Sequence, residues 1–144
     1  MINLTDEQYA YHLLALNFSL PNKEVLNLFK STLSLKETWE KLRLKKQNLL
    51  LPPKEKVEEE LFENKINILT FNDPNFPFQF KQIPDHPLGF YFKGEIEILK
   101  EKIFLAIVGT RKATKEGKTI AYNFATELSK IGIVIISGLA MGVD

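Results

Sequence analysis

The sequence predicts an α/β fold in two parts: a small all-helical N-terminal module over residues 1–63, then the first part of a doubly wound parallel sheet over residues 64–144. Three observations predict it. Two Ser/Thr caps, Thr5 and Ser34, each stand three residues ahead of Gln or Glu and open apolar patterns of helical period. Two uninterrupted apolar runs, Ile103 to Val108 and Ile133 to Ile136, are too short for helices and read as parallel strands buried on both faces. Between them lies one amphipathic helix, so residues 103 to 136 have the length of a single strand–helix–strand crossover.

Taken in order, Ala10, Leu13, Leu14 and Phe18 give a helix over roughly residues 6 to 18. Pro21-Asn22 interrupts, and Val25, Leu26 and Phe29 give a second short helix. Ser34 starts a third, carrying Leu35, Trp39 and Leu42. Pro52-Pro53 opens a fourth, where Val57 and Leu61 form a narrow apolar stripe among five glutamates. From Ile66 the texture changes: Ile66, Ile68, Leu69 and Phe71 predict a strand, and Gly89 to Lys93 a second. Prolines 74, 77, 84 and 87 forbid continuous regular structure between the two. In the crossover Thr114 is the expected N-cap, Ile120, Ala121, Phe124, Ala125, Leu128 and Ile131 form one stripe, and Gly132 ends the helix. Two parallel strands covered on one face do not close a doubly wound core, so the chain is expected to be the N-terminal fragment of a longer protein, cut at residue 144.

Composition excludes several classes of function. Nineteen Lys and Arg against eighteen Asp and Glu leave a formal charge of +1, so any polyanion site must be local. Cysteine is absent, which removes disulfides, thiol catalysis and cysteine-ligated metal. No apolar run approaches the roughly 18 residues of a membrane span, and a cytoplasmic protein that meets no membrane is expected. His12 and His86 have neither metal-ligand spacing nor an evident partner and read as structural or surface residues. No acid/base pair or activated nucleophile is visible, so neither an enzyme nor a cofactor is expected.

The informative stretch is Gly109-Thr110-Arg111-Lys112-Ala113-Thr114, between a strand end and a helix start, where open α/β sheets bind ligands. Arg111, Lys112, Lys115 and Lys118 against Glu116 make a local +3 in a nearly neutral chain. Cations there oppose the helix dipole, which calls for an anion to balance them. Gly117-Lys118-Thr119 is no P-loop, because Lys112 occupies the position of its first glycine. The dinucleotide fingerprint fails at Thr110 and Arg111. Gly117 is read first as a packing residue and second as a place of close ligand approach. Ser137, Gly138 and Gly142 fall at the same sheet edge and complete a candidate phosphate cradle, while Ile135 two positions before Ser137 argues against a hydrolase nucleophile. Phe76, Phe78, Phe80, Phe90, Tyr91 and Phe92 have the chemistry to stack bases, although at this density near strands they read first as core.

Five ordered blocks carry a resemblance: Asn75-Phe76-Pro77, Ile83-Pro84-Asp85-His86-Pro87, Phe90-Tyr91-Phe92-Lys93-Gly94, Ala106 to Thr114, and Ser137 to Asp144. In order and spacing they resemble the DprA/Smf family of DNA-processing proteins. The resemblance implies a SAM-like helical module followed by a Rossmann-like domain that binds single-stranded DNA, loads RecA recombinase during natural transformation and forms a homodimer. It implies phosphate binding at Gly109, Thr110 and Arg111, with Gly138 and Gly142 shaping the opposite wall. Three places depart from the family pattern: Met141 stands where Arg is usual, Glu116 replaces a common aromatic residue, and Leu20-Pro21-Asn22-Lys23 replaces a glycine-containing hairpin. Met141-Gly142 is also similar to the nucleotide loop of lysine-decarboxylase-like hydrolases, so a nucleotide-processing enzyme is the alternative reading.

Overall fold

A computed structural model describes residues 2–100 and 103–144. The chain divides into two compact units, Met1–Gly94 and Glu95–Asp144.

The first unit starts with three capped helices. Thr5 accepts from the Gln8 amide while the Gln8 side chain accepts from the Thr5 amide, and this reciprocal cap opens α1 (Asp6–Asn17). Asn22 caps α2 (Lys23–Thr32) and Ser34 caps α3 (Leu35–Arg43). The start of α3 is also held from a distance. The Glu7 carboxylate on α1 accepts from Ser34 Oγ at 2.6 Å, the Leu35 amide at 2.8 Å and the Lys36 amide at 3.2 Å. A carboxylate on the first free amides of a helix satisfies orphan donors and matches the dipole. Glu7→Ala is therefore expected to cost about 1–2 kcal/mol in chemical denaturation, the range for losing a charged cap.

α4 (Lys54–Glu63) buries Val57 and Leu61, as its narrow stripe predicts. The core gathers Leu14 and Leu13 of α1, Val25 and Phe29 of α2, Leu35, Trp39 and Leu42 of α3, and the two residues of α4. Thr38 is the one fully buried polar side chain in that list of helices, and its hydroxyl is satisfied by the Ser34 carbonyl at 2.7 Å.

Strands β1 (Asn67–Thr70) and β2 (Gly89–Phe92) pair antiparallel, with Asn67 opposite Phe92 and Thr70 opposite Gly89. Both are tied to α1. Gln8 Nε2 donates to the Ile68 carbonyl at 2.8 Å, and the Tyr11 hydroxyl donates to the Gly89 carbonyl at 2.7 Å. Burial pushes the Tyr11 phenol up to about 12, so it stays a neutral donor. Gly89 is required there, since a Cβ would lie 2.8 Å from the Tyr11 ring. The expected division at residues 63/64 thus falls inside the first compact unit, which keeps β1 and β2 with the helices and ends at Gly94. Between the strands, Pro77 starts a one-turn helix α5 (Phe78–Lys81), a regular element that the proline spacing did not announce.

Of the aromatic residues singled out, Phe76 is buried and Phe80, Phe90 and Phe92 are half-buried. Rings of Phe71, Phe76, Phe80, Phe90 and Phe92 form a chain of contacts with centroids 5.5 to 6.3 Å apart. Phe78 and Tyr91 are exposed. The histidines do have partners, contrary to the sequence expectation: His12 Nδ1 lies 2.9 Å from the Tyr91 hydroxyl, and His86 stacks on Phe71 at 4.6 Å. Both partners are far off in sequence or belong to the aromatic cluster, which hid them from a local reading.

In the second unit a 3-10 turn over Ile96–Lys100 precedes β3 (Phe104–Ala106), α6 (Lys115–Lys130) and β4 (Val134–Ile136). The strands pair parallel, Phe104 with Val134 through Ala106 with Ile136, so the predicted crossover is present. Thr114 caps α6 and Gly132 takes φ +84 just beyond its end. The expectation of strands buried on both faces is corrected: no described residue of this unit is fully buried, and Leu105, Ile120 and Phe124 are exposed. One helix covers one face of two strands only. No described helix is long and apolar enough to cross a membrane.

Candidate nucleic-acid interface

The site is the carboxyl edge of β3 and β4. The strand pairing runs one step past β3, where the Ile107 amide donates to the Ile136 carbonyl at 2.9 Å, and then the two chains leave the sheet as loops. The first loop, Gly109 to Thr114, ends in the cap of α6; its Lys112 amide donates to Thr110 Oγ1 at 3.2 Å in a local turn. The second loop, Ser137 to Asp144, begins with Ser137 Oγ accepting from the Leu139 amide at 3.2 Å.

Four contacts interlock these loops. Gly142, at φ +120, lies flat on the Thr110–Arg111 backbone, where a Cβ would run into the Thr110 carbonyl and stand 2.7 Å from Arg111 Cα. The Val143 amide donates to that Thr110 carbonyl at 3.3 Å. Gly109 faces the Val143 side chain, and a Cβ on Gly109 would come within 2.7 Å of three of its atoms. The glycines thus serve backbone-on-backbone packing, with Asp144 closing the junction: its Oδ1 accepts from the Gly109 amide at 3.0 Å, and its Oδ2 faces Gly138.

All ten residues singled out from the sequence fall on this edge, but in different roles. Arg111, Lys112, Lys115 and Lys118 are exposed, and none forms an ion pair among the described residues. Arg111 therefore pairs with neither Asp144 nor Glu116. The Thr110 and Ser137 hydroxyl oxygens each accept from a backbone amide in a local turn, which leaves their O–H donors available. The Gly117 amide donates to Thr114 Oγ1 at 3.1 Å, and a Cβ there would make only an ordinary 3.5 Å contact, so neither tight packing nor a free donor explains that glycine. Gly109, Gly138 and Gly142 line the junction. What sequence reasoning missed is the partner of the Gly109 amide. A carboxylate at the end of a glycine loop is visible in the sequence, but which amide it reaches depends on two loops meeting in space.

Chemically the edge offers four exposed cations beside the Thr114-capped N-terminus of a sixteen-residue helix. The fold and site together define an α/β protein with a parallel strand–helix–strand unit, a cation-bearing loop at its strand ends and a helical unit before it. The chain belongs to the DNA recombination-mediator protein A family, whose sequence profile matches residues 67–144. Over 82 residues, 57% of the chain, it is 37% identical to the DNA processing protein DprA of Bacillus subtilis, a stretch that makes up 28% of that relative. It is 31% identical over 87 residues to protein Smf of Borreliella burgdorferi, covering 60% of the chain and 27% of the relative. The solved X-ray structure of DNA processing protein A from Streptococcus pneumoniae superposes on 99% of the chain with a TM-score of 0.60 at 20% identity, and the chain spans 52% of it. The α/β fold expected from the sequence, helical unit included, is the fold of that structure.

Proposed function

We propose that the chain binds single-stranded DNA without catalysis, gripping the phosphate backbone at Arg111, Lys112, Lys115 and Lys118, as part of a protein that hands the strand to RecA recombinase during DNA uptake. The carrying observation is that four exposed cations, without ion pairs among the described residues, cluster over the loop after β3 and the first turn of α6 in a chain whose net charge is only +1. What sets these four apart is their spacing within eight residues, with Glu116 as the one carboxylate among them. Membership in a family of recombination mediators supports DNA as that polyanion and RecA as the receiver. The same resemblance supports a cytoplasmic homodimer of the intact protein with no cofactor.

Arg111 is the first residue to test, because a guanidinium holds a phosphate bidentately where lysine offers a point charge. In the intact protein, Arg111→Ala is expected to weaken binding to labelled oligothymidylate and to mixed-sequence strands alike, by about tenfold, and to lower the salt slope by about 0.7, the value of one single-strand phosphate contact. An unchanged slope with a lowered melting temperature would assign Arg111 to folding instead. Hydrolysis of nucleoside monophosphates in a parallel assay would move the protein to the nucleotide-processing class.

A further inference from the structure

The Gly109 amide points at an anion, and that anion is the protein's own. Asp144 Oδ1 sits 3.0 Å from it at the very place where the first loop leaves the sheet, which is where a phosphate oxygen would bind. The backbone leading to the carboxylate is tied to the first loop. Val143, its neighbour, is held to Thr110 by a hydrogen bond and packs on Gly109, and Gly142 before it lies on Thr110–Arg111. Gly138 leaves room for the second oxygen.

We infer that Asp144 is a built-in competitor for phosphate, closing the glycine cradle to small anions so that the edge selects a polymeric backbone. This inference rests on the phosphate-binding reading given above. A phosphate at the Gly109 amide would share one donor with a carboxylate, and two anions at that distance repel. A single small anion, such as inorganic phosphate, therefore loses the enclosed position and keeps only exposed lysines and Arg111, each screened by solvent. A strand with successive phosphates engages Arg111, Lys112, Lys115 and Lys118 at once and has no need of the cradle. Asp144 accordingly sets selectivity for polymer over free phosphate, at the cost of one unit of opposing charge beside the bound strand.

Two variants and two probes test this. Asp144→Asn keeps an acceptor for the Gly109 amide and deletes the charge; Asp144→Ala deletes both. Val108–Gly109 is the single Val–Gly step in the 144 residues, so carbonyl-labelled valine with amide-labelled glycine isolates the Gly109 signal in NMR spectra of the chain. On titration with inorganic phosphate, that signal is expected to stay still in the wild type and to shift saturably in Asp144→Ala. Both variants should bind oligothymidylate about fivefold more tightly, the scale of removing one like charge at a solvent-exposed edge. A wild-type Gly109 signal that follows phosphate as the alanine variant does, or variants that bind oligothymidylate no tighter, would overturn the inference. The phosphate titration needs no DNA binding, so it fails or succeeds independently of the Arg111 experiment.

Discussion

Phe29→Ala is expected to remove about 3–5 kcal/mol from the first unit, the cost of a large cavity in a packed core. Phe29 is only 2% exposed, sits among Leu14, Val25, Leu35 and Leu42, and meets the Phe71 ring edge-on with centroids 5.6 Å apart. It therefore joins the helices to the segment that follows β1, and its loss opens a space that neither side can close. Net stabilities of small domains are about 5–15 kcal/mol, so the loss is a large share of the total and should lower the urea midpoint clearly. Trp39, the single tryptophan of the chain and 3% exposed on α3, reports this core by fluorescence during urea denaturation. Phe78→Ala is the control. Phe78 is 68% exposed, and its removal should change stability by no more than about 0.5 kcal/mol. Equal midpoints for the two variants would mean that Phe29 is not the keystone of this core.

The contrast between those phenylalanines shows where the sequence was legible. Thr5 with Gln8, Ser34 with its helix and Thr114 with Gly117 are contacts within three residues, so the helix starts could be read directly and the structure has them. The crossover was equally plain, because apolar runs, a cap and a terminal glycine are all local signals. The assignment of β1 and β2 to the helical unit was not. It depends on Gln8 reaching Ile68 and Tyr11 reaching Gly89, bonds that span 60 and 78 residues. The one-turn α5 carries too few residues for any period to show. At the candidate interface the cations and glycines could be listed from the sequence, whereas the closure of the Gly109 amide by Asp144, 35 residues away, could not. Spacing shows which residues stand at a sheet edge; which of them turn toward each other is decided by the packing of the two loops.

Gly142→Ala tests that packing, and two costs add at this position. Its φ of +120 lies where a side chain is strained, and the new methyl would strike the Thr110 carbonyl and approach Arg111 Cα at 2.7 Å. Backbone atoms do not yield as the end of a flexible side chain does, so the two loops must part. Parting them breaks the Val143 bond to Thr110, frees Asp144 from Gly109 and displaces Arg111. The expected loss is about 3 kcal/mol in the second unit, from strain and overpacking together. Oligothymidylate binding should fall by about tenfold or more at temperatures where the variant is still folded, because the cations no longer share one surface. Gly132→Ala separates strain from contact. Gly132 has φ +84 with nothing within 4 Å of a Cβ, so its substitution carries the conformational cost alone, about 1–2 kcal/mol, and should leave DNA affinity unchanged. Circular dichroism during denaturation and fluorescence anisotropy with the labelled strand give both quantities for both variants. Should Gly142→Ala match Gly132→Ala in each, the interlock of the loops has no part in holding the site together, and the four cations act as independent charges on a mobile surface.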